Sequence, residues 1–220
     1  MSPGRRPSAL TGRDAIVVAA ERMIALRGLS VPARDIAVAA GQRNNSAVQY
    51  HFGSREDLVV AVIEHRAPAL EARRMERLIE AERSGLGDDT RALVSALVTP
   101  LLEAPLLDGS WYYGRFLEQV RVLPDALGRA TLDAHRASAQ LITERLRVAM
   151  PEMDDAAREQ RIQIFGTALF ALAADHERQL EAARKRRGTV MHGSTIVDAL
   201  TAIVHAEAHD DTPAPAGSGT

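Results

Sequence analysis

The chain has 220 residues, 46% of them hydrophobic and 25% charged, with a formal net charge of −2; this is the composition of a globular protein with length enough for a substantial core. It has no cysteine, which excludes disulfides, thiol nucleophiles and thiolate metal sites and fits a reducing cytoplasm. No apolar run of about 18 residues is present to cross a membrane, so no membrane partner is expected.

The net charge hides an asymmetry. Residues 1–55 carry eight arginines against Asp14, Glu21 and Asp35, a balance of +5, and the remainder of the chain carries −7. A basic head on an acidic body is the electrostatic footprint of a nucleic-acid partner.

Residues 1–10 hold Pro3, Gly4 and Pro7 and show no periodicity. They read as a disordered basic arm, either adding phosphate contacts or standing as a plain untidy terminus. Their two arginines precede no apolar stretch, so a signal peptide is not expected. A first helix begins at Thr11, with Asp14 three residues on and Ile16, Ala19, Ala20, Met23 and Ile24 along one face. Gly28 ends it, and Pro32 opens the next. Arg34 to Ala40 predicts a short helix, stopped by Gly41. A second short helix follows from Asn45 to about Phe52. Two short helices across a Gly-containing turn make a helix-turn-helix, whose second helix enters the DNA major groove. Asn44, Asn45, Ser46, Gln49, Tyr50 and His51 are its polar residues, while Ala47, Val48 and Phe52 pack inward. The expected small core is Ile16, Met23, Ile36, Ala40 and Val48.

Arg34-Asp35-Ile36-Ala37, Ala40-Gly41, Tyr50-His51-Phe52 and Ser54-Arg55-Glu56-Asp57-Leu58 stand in the order and spacing of one known domain. From about Gly12 to Val62 the chain resembles the N-terminal DNA-binding domain of the TetR family of bacterial one-component regulators. It departs from the family at Val31, where a threonine usually caps the helix and touches phosphate; Ser30 is the nearest hydroxyl. The resemblance implies an all-α homodimeric regulator, most simply a ligand-responsive repressor, bound to a palindromic operator in double-stranded DNA. Asn45, Gln49 and Tyr50 would contact bases, and Arg43, His51 and Arg55 phosphates. Ser30, Arg34, Asn44, Ser46 and Ser54 complete the expected DNA-binding set. The division is a disordered arm over 1–10, a helix-turn-helix domain over 11–53, a helical ligand-binding and dimerisation domain over 54–209, and a disordered tail over 210–220.

In the body, Ser54 caps a long helix reaching about Arg83, with a kink near Pro68. Helical patterns follow at about 89–103, 109–122, 124–149, 155–187 and 193–209, and no strand is expected. Four of the eight aromatic residues fall in Trp111–Phe116. Trp111, Tyr112 and Phe116 are candidate lining for a small-molecule effector pocket, beside the alternative that the cluster is plain core. Ile162, Phe165, Leu169 and Leu172, with Ile196, Leu200 and Ile203, form stripes suited to a four-helix dimer interface, or simply to the core of one protomer. His205 and His209 are one turn apart with Glu207 between them, which is not a metalloprotease order and lacks a third ligand, so no metal site is expected. Arg184 to Arg187 suits the negative end of a helix before Gly188. No nucleophile, dinucleotide or phosphate-loop motif occurs, so neither a cofactor nor an enzyme is expected. The alternative from another class is a helical protein-interaction module without sequence-specific DNA binding.

Overall fold

The computed structural model describes residues 11–103, 111–131, 137–185 and 188–206. The described residues form ten α-helices and no strand: α1 (Gly12–Arg27), α2 (Ala33–Ala39), α3 (Ala47–Phe52), α4 (Arg55–Arg83), α5 (Thr90–Leu102), α6 (Tyr113–Val120), α7 (Pro124–Thr131), α8 (Ala137–Ala149), α9 (Asp155–Arg184) and α10 (Gly193–His205). The all-α expectation holds. The arm at 1–10, the tail at 210–220, His209, Arg186 and Arg187 lie outside the described residues. Of the stretch expected as one helix over 124–149, Pro124–Thr131 and Ala137–Ala149 are helical and the residues between them lie outside the described ones; the helix expected over 109–122 begins at Tyr113 and ends at Val120.

Helices whose own sequence supplies a cap begin where the sequence says. Thr11 Oγ1 accepts the Asp14 N–H at 3.2 Å and donates to the Asp14 carboxylate at 2.6 Å. Ser54 repeats this with Asp57, at 3.0 and 2.5 Å. Asp89 and Asp154 accept the N–H groups of Ala92 and Ala157, each at 2.7 Å. Each bond satisfies one of the amides that a helix leaves unpaired at its start. Two helices take their caps from elsewhere in the fold. Glu71 of α4 accepts the Ser138 N–H and hydroxyl at the start of α8, at 2.8 and 2.6 Å. Glu177 of α9 accepts the Gly114 and Arg115 N–H groups at the start of α6, at 2.7 and 3.0 Å.

These remote caps fix the layout. α4 runs from Arg55 through Pro68 to Arg83 and packs on α1, α5, α7 and α8. α6 lies between α1 and α9. Gly114 allows the close approach: a Cβ there would stand 2.8 Å from the Ala173 carbonyl carbon, well inside contact distance. One buried apolar cluster runs from Ile16, Ile36 and Val48 through Leu58, Val62 and Leu93 to Phe116, Ile196 and Leu200. The core is therefore continuous across the expected boundary at residues 53 and 54. Of the five residues expected to form the small head core, Ile16, Ile36 and Val48 are buried, while Met23 and Ala40 are partly buried against the same cluster.

Candidate nucleic-acid interface and ligand cavity

The stretch between α2 and α3 is built by its own polar groups. Gly41 adopts φ +69°, a conformation that a side chain would strain. The Gln42 N–H donates to the Ala37 carbonyl at 2.9 Å, and its side chain reaches Gly12 at the start of α1. Asn44 Oδ1 accepts the Ser46 N–H at 2.9 Å and so sets the first turn of α3. The helix accordingly begins at Ala47, two residues later than expected. Ala47, Val48 and Phe52 are buried, as their spacing requires.

The opposite face of α3 is open. Asn44, Asn45, Ser46, Gln49, Tyr50 and His51 are all exposed, as are Ser30, Arg34 and Arg43. Tyr50 is 83% exposed, with its ring edge-on to His51 at 5.1 Å. Gln49 donates to the Gly53 carbonyl at 2.5 Å, which holds its amide along the helix. Two of the expected DNA-binding residues are engaged internally. Ser54 is the α4 cap. Arg55 is partly buried, with one terminal nitrogen on the Val31 carbonyl at 2.7 Å and the other enclosed, so it ties α4 to the turn before α2. Arg34 and Arg43 make no ion pair among the described residues, whereas Arg27 is held by Asp35 at 2.8 Å.

The body contains a cavity of about 760 Å³ among α4 to α9, within the range of small-molecule sites. The residues expected to line it do not. Phe116 is fully buried in the core, and neither Trp111 nor Tyr112 reaches the cavity; Tyr112 lies beside Arg115 and Arg22, whose guanidiniums stand 4.8 and 5.6 Å from its ring centre. The lining face of α6 is Tyr113, Leu117 and Arg121. These follow at i, i+4 and i+8, one step along from Tyr112, Phe116 and Val120, which share the adjacent face of the sequence pattern. The aromatic density marked the right helix, and the choice between its adjacent stripes depended on where α1 and α9 pack.

Behind Tyr113 lies a seam of buried charge. Its ring faces the Arg66 guanidinium at 5.4 Å. Arg66 in turn grips Glu21 of α1 through two bonds, at 2.7 and 2.5 Å. The Glu21 side chain is 1% exposed and that of Arg66 11%. Burial opposes the Arg66 charge, but the Glu21 hydrogen bonds and field together outweigh it and hold the guanidinium above its ordinary range. On the α9 side, burial pushes the Glu177 carboxyl up, against the Arg115 and Gly114 N–H groups that favour its charged form. No local pattern announces the Glu21–Arg66 pair, whose members stand 45 residues apart.

The expected dimer stripes are mostly internal. Phe165, Leu169, Ile196 and Leu200 are buried within one protomer, and Leu172 and Ile203 are partly buried against the same core. Ile162 and Leu169 line the cavity. The stripes at helical spacing were core stripes, because α5 and α6 cover α9 and α10 from within. What α9 leaves open is its other side: a shallow groove along Gln160, Gln163, Ile164, Thr167, Ala168 and Ala171, with Ile164 52% exposed.

No model of a known protein family matches the chain, and no curated protein matches it significantly. Among the described residues no helix is long and apolar enough to cross a membrane.

Proposed function

We propose that this protein is a sequence-specific DNA-binding regulator of the TetR type, acting as a homodimer and answering to a small molecule in its cavity. One observation carries the reading. A short helix on a basic head holds a full row of exposed polar side chains and a Tyr50 that the fold leaves almost wholly in water. A protein does not gain stability from a tyrosine so placed; a base edge or phosphate supplies its partner. Asn45, Gln49 and Tyr50 then read the major groove, with Arg34, Arg43 and His51 on the backbone.

One such helix reads too few bases to be specific, and a two-fold pair set on successive major grooves solves this. The open α9 groove around Ile164 and Ala171 is the surface for that pairing. The cavity enters through α6. Tyr113 is at once cavity wall and platform for Arg66, which holds α1 through Glu21. An occupant that moves Tyr113 favours one head arrangement over the other and shifts their populations.

The second reading is a protein-interaction module, favoured by Val38 on α2, an aliphatic side chain left 61% exposed. Fluorescence anisotropy on mixed-sequence duplex DNA separates the two. The DNA reading predicts a fall in affinity of roughly a thousandfold or more between about 50 and 200 mM salt, with a shallower slope for Arg34→Ala and Arg43→Ala. Binding that is absent at low salt, with the protein folded, rejects it.

A further inference from the structure

We propose that the cavity takes an amphiphilic acid: an apolar body among the buried lining, with one carboxylate seated on Arg121. This rests on the reading of the cavity as an effector site and adds the chemistry of the effector.

The lining is divided. Leu70, Leu97, Leu101, Tyr113 and Leu117 are buried and form an apolar interior. Of the polar lining, Arg121, Gln140, Glu144, Glu159 and Gln163 are exposed and mark the rim where the cavity meets water, while Arg74, Thr143 and Arg147 are half-buried. A ligand matching both regions is apolar along its length and polar at one end.

The charges at the rim decide the sign of that end. Three arginines, Arg74, Arg121 and Arg147, face two carboxylates, Glu144 and Glu159. Arg147 already engages both carboxylates, at 2.7 Å from Glu159 and 3.9 Å from Glu144. A cationic ligand would have to compete with Arg147 for them. Arg121 makes no side-chain hydrogen bond or ion pair among the described residues. It is the last residue of the Tyr113–Leu117–Arg121 stripe and ends α6, so it sets a fixed positive charge where the apolar wall stops. A carboxylate there gains a charge-assisted, forked contact, and a neutral head does not.

Calorimetry on the full chain without DNA tests this, using dodecanoate, dodecanol and dodecyltrimethylammonium below their micelle concentrations. Dodecanoate is expected to bind tightest. Arg121→Gln, a change at an exposed position that should leave the circular dichroism spectrum unaltered, should weaken dodecanoate about tenfold and leave dodecanol unchanged. Ala139→Phe, which fills the cavity, should weaken both. Three results overturn the proposal: an alcohol or ammonium bound as tightly as the acid, an acid affinity indifferent to Arg121→Gln, or one indifferent to Ala139→Phe. Dodecanoate bound as expected but without effect on DNA affinity would reject the regulatory reading and leave the ligand class standing.

Discussion

The Glu21–Arg66 pair is where the fold is most exposed to a single change. Arg66→Met removes the only guanidinium that grips Glu21 in the described structure and leaves a carboxylate whose side chain is 1% exposed. Breaking one side of a buried pair costs about 3–5 kcal/mol. Loss of the stacked cation over Tyr113, 5.4 Å from the ring, adds about 0.5–2 kcal/mol. The single change should therefore remove roughly 3.5–7 kcal/mol, a large share of the ~5–15 kcal/mol that holds a typical domain. Glu21→Gln keeps the shape and one acceptor and should cost less, about 2 kcal/mol. The paired Glu21→Met, Arg66→Met variant leaves no orphaned charge and should return to within about 1–2 kcal/mol of the parent. Urea unfolding at fixed protein concentration, followed by the fluorescence of Trp111, the single tryptophan, measures all three. An Arg66→Met loss below about 1 kcal/mol, or a double variant no more stable than Arg66→Met alone, refutes the reasoning.

Other outcomes follow from particular contacts. Gly114→Ala drives a Cβ into the Ala173 backbone at 2.8 Å and should cost about 1–3 kcal/mol, read as a fall of several degrees in Tm; an unchanged Tm means α6 and α9 are not in close register. His176 is half-buried beside the Met191 carbonyl at 3.0 Å, and burial holds its pKa below the ordinary imidazole range. The folded state thus binds this proton less readily than the unfolded one, so its contribution is fully present above about pH 6.5 and is lost as pH falls through the folded value. Unfolding at stepped pH should show a slope below about 6.5 that disappears in His176→Gln. Tyr50→Ala should leave stability within about 0.5 kcal/mol of the parent, because the ring is 83% exposed, while lowering DNA affinity in a binding titration. A destabilised Tyr50→Ala protein would mean the ring is held by the fold and not presented by it.

The residues explain which parts of this structure were legible in the sequence. α1, α4, α5 and α9 carry Thr11, Ser54, Asp89 and Asp154 at their own starts, and a local cap is a local signal. α6 and α8 are capped by Glu177 and Glu71, 63 and 67 residues away, and a boundary set across the fold leaves little trace in a short window. The outward side of α3 was readable because Ala47, Val48 and Phe52 define its inward side. The cavity was not, since Tyr112–Phe116–Val120 and Tyr113–Leu117 are adjacent apolar stripes of one helix and only the packing of α1 and α9 on α6 selects between them. The stripes of α9 and α10 were visible, but periodicity tells only that a face is buried. Whether a neighbouring helix or a second protomer buries it is decided by α5 and α6, far away in sequence. The inward turn of Arg55 was hidden for a similar reason: the Val31 carbonyl that holds it lies 24 residues earlier.

We propose above that the exposed side of α3, with Asn45 just ahead of it, reads DNA sequence. Selection of random duplex DNA by the purified protein, followed by sequencing, tests it most directly. The account predicts enrichment of a palindrome with half-sites about one helical turn apart or a multiple of it, lost when Asn45→Ala and Tyr50→Ala are combined in a protein of unchanged helicity. A folded, helical protein that enriches no sequence at low salt would contradict it.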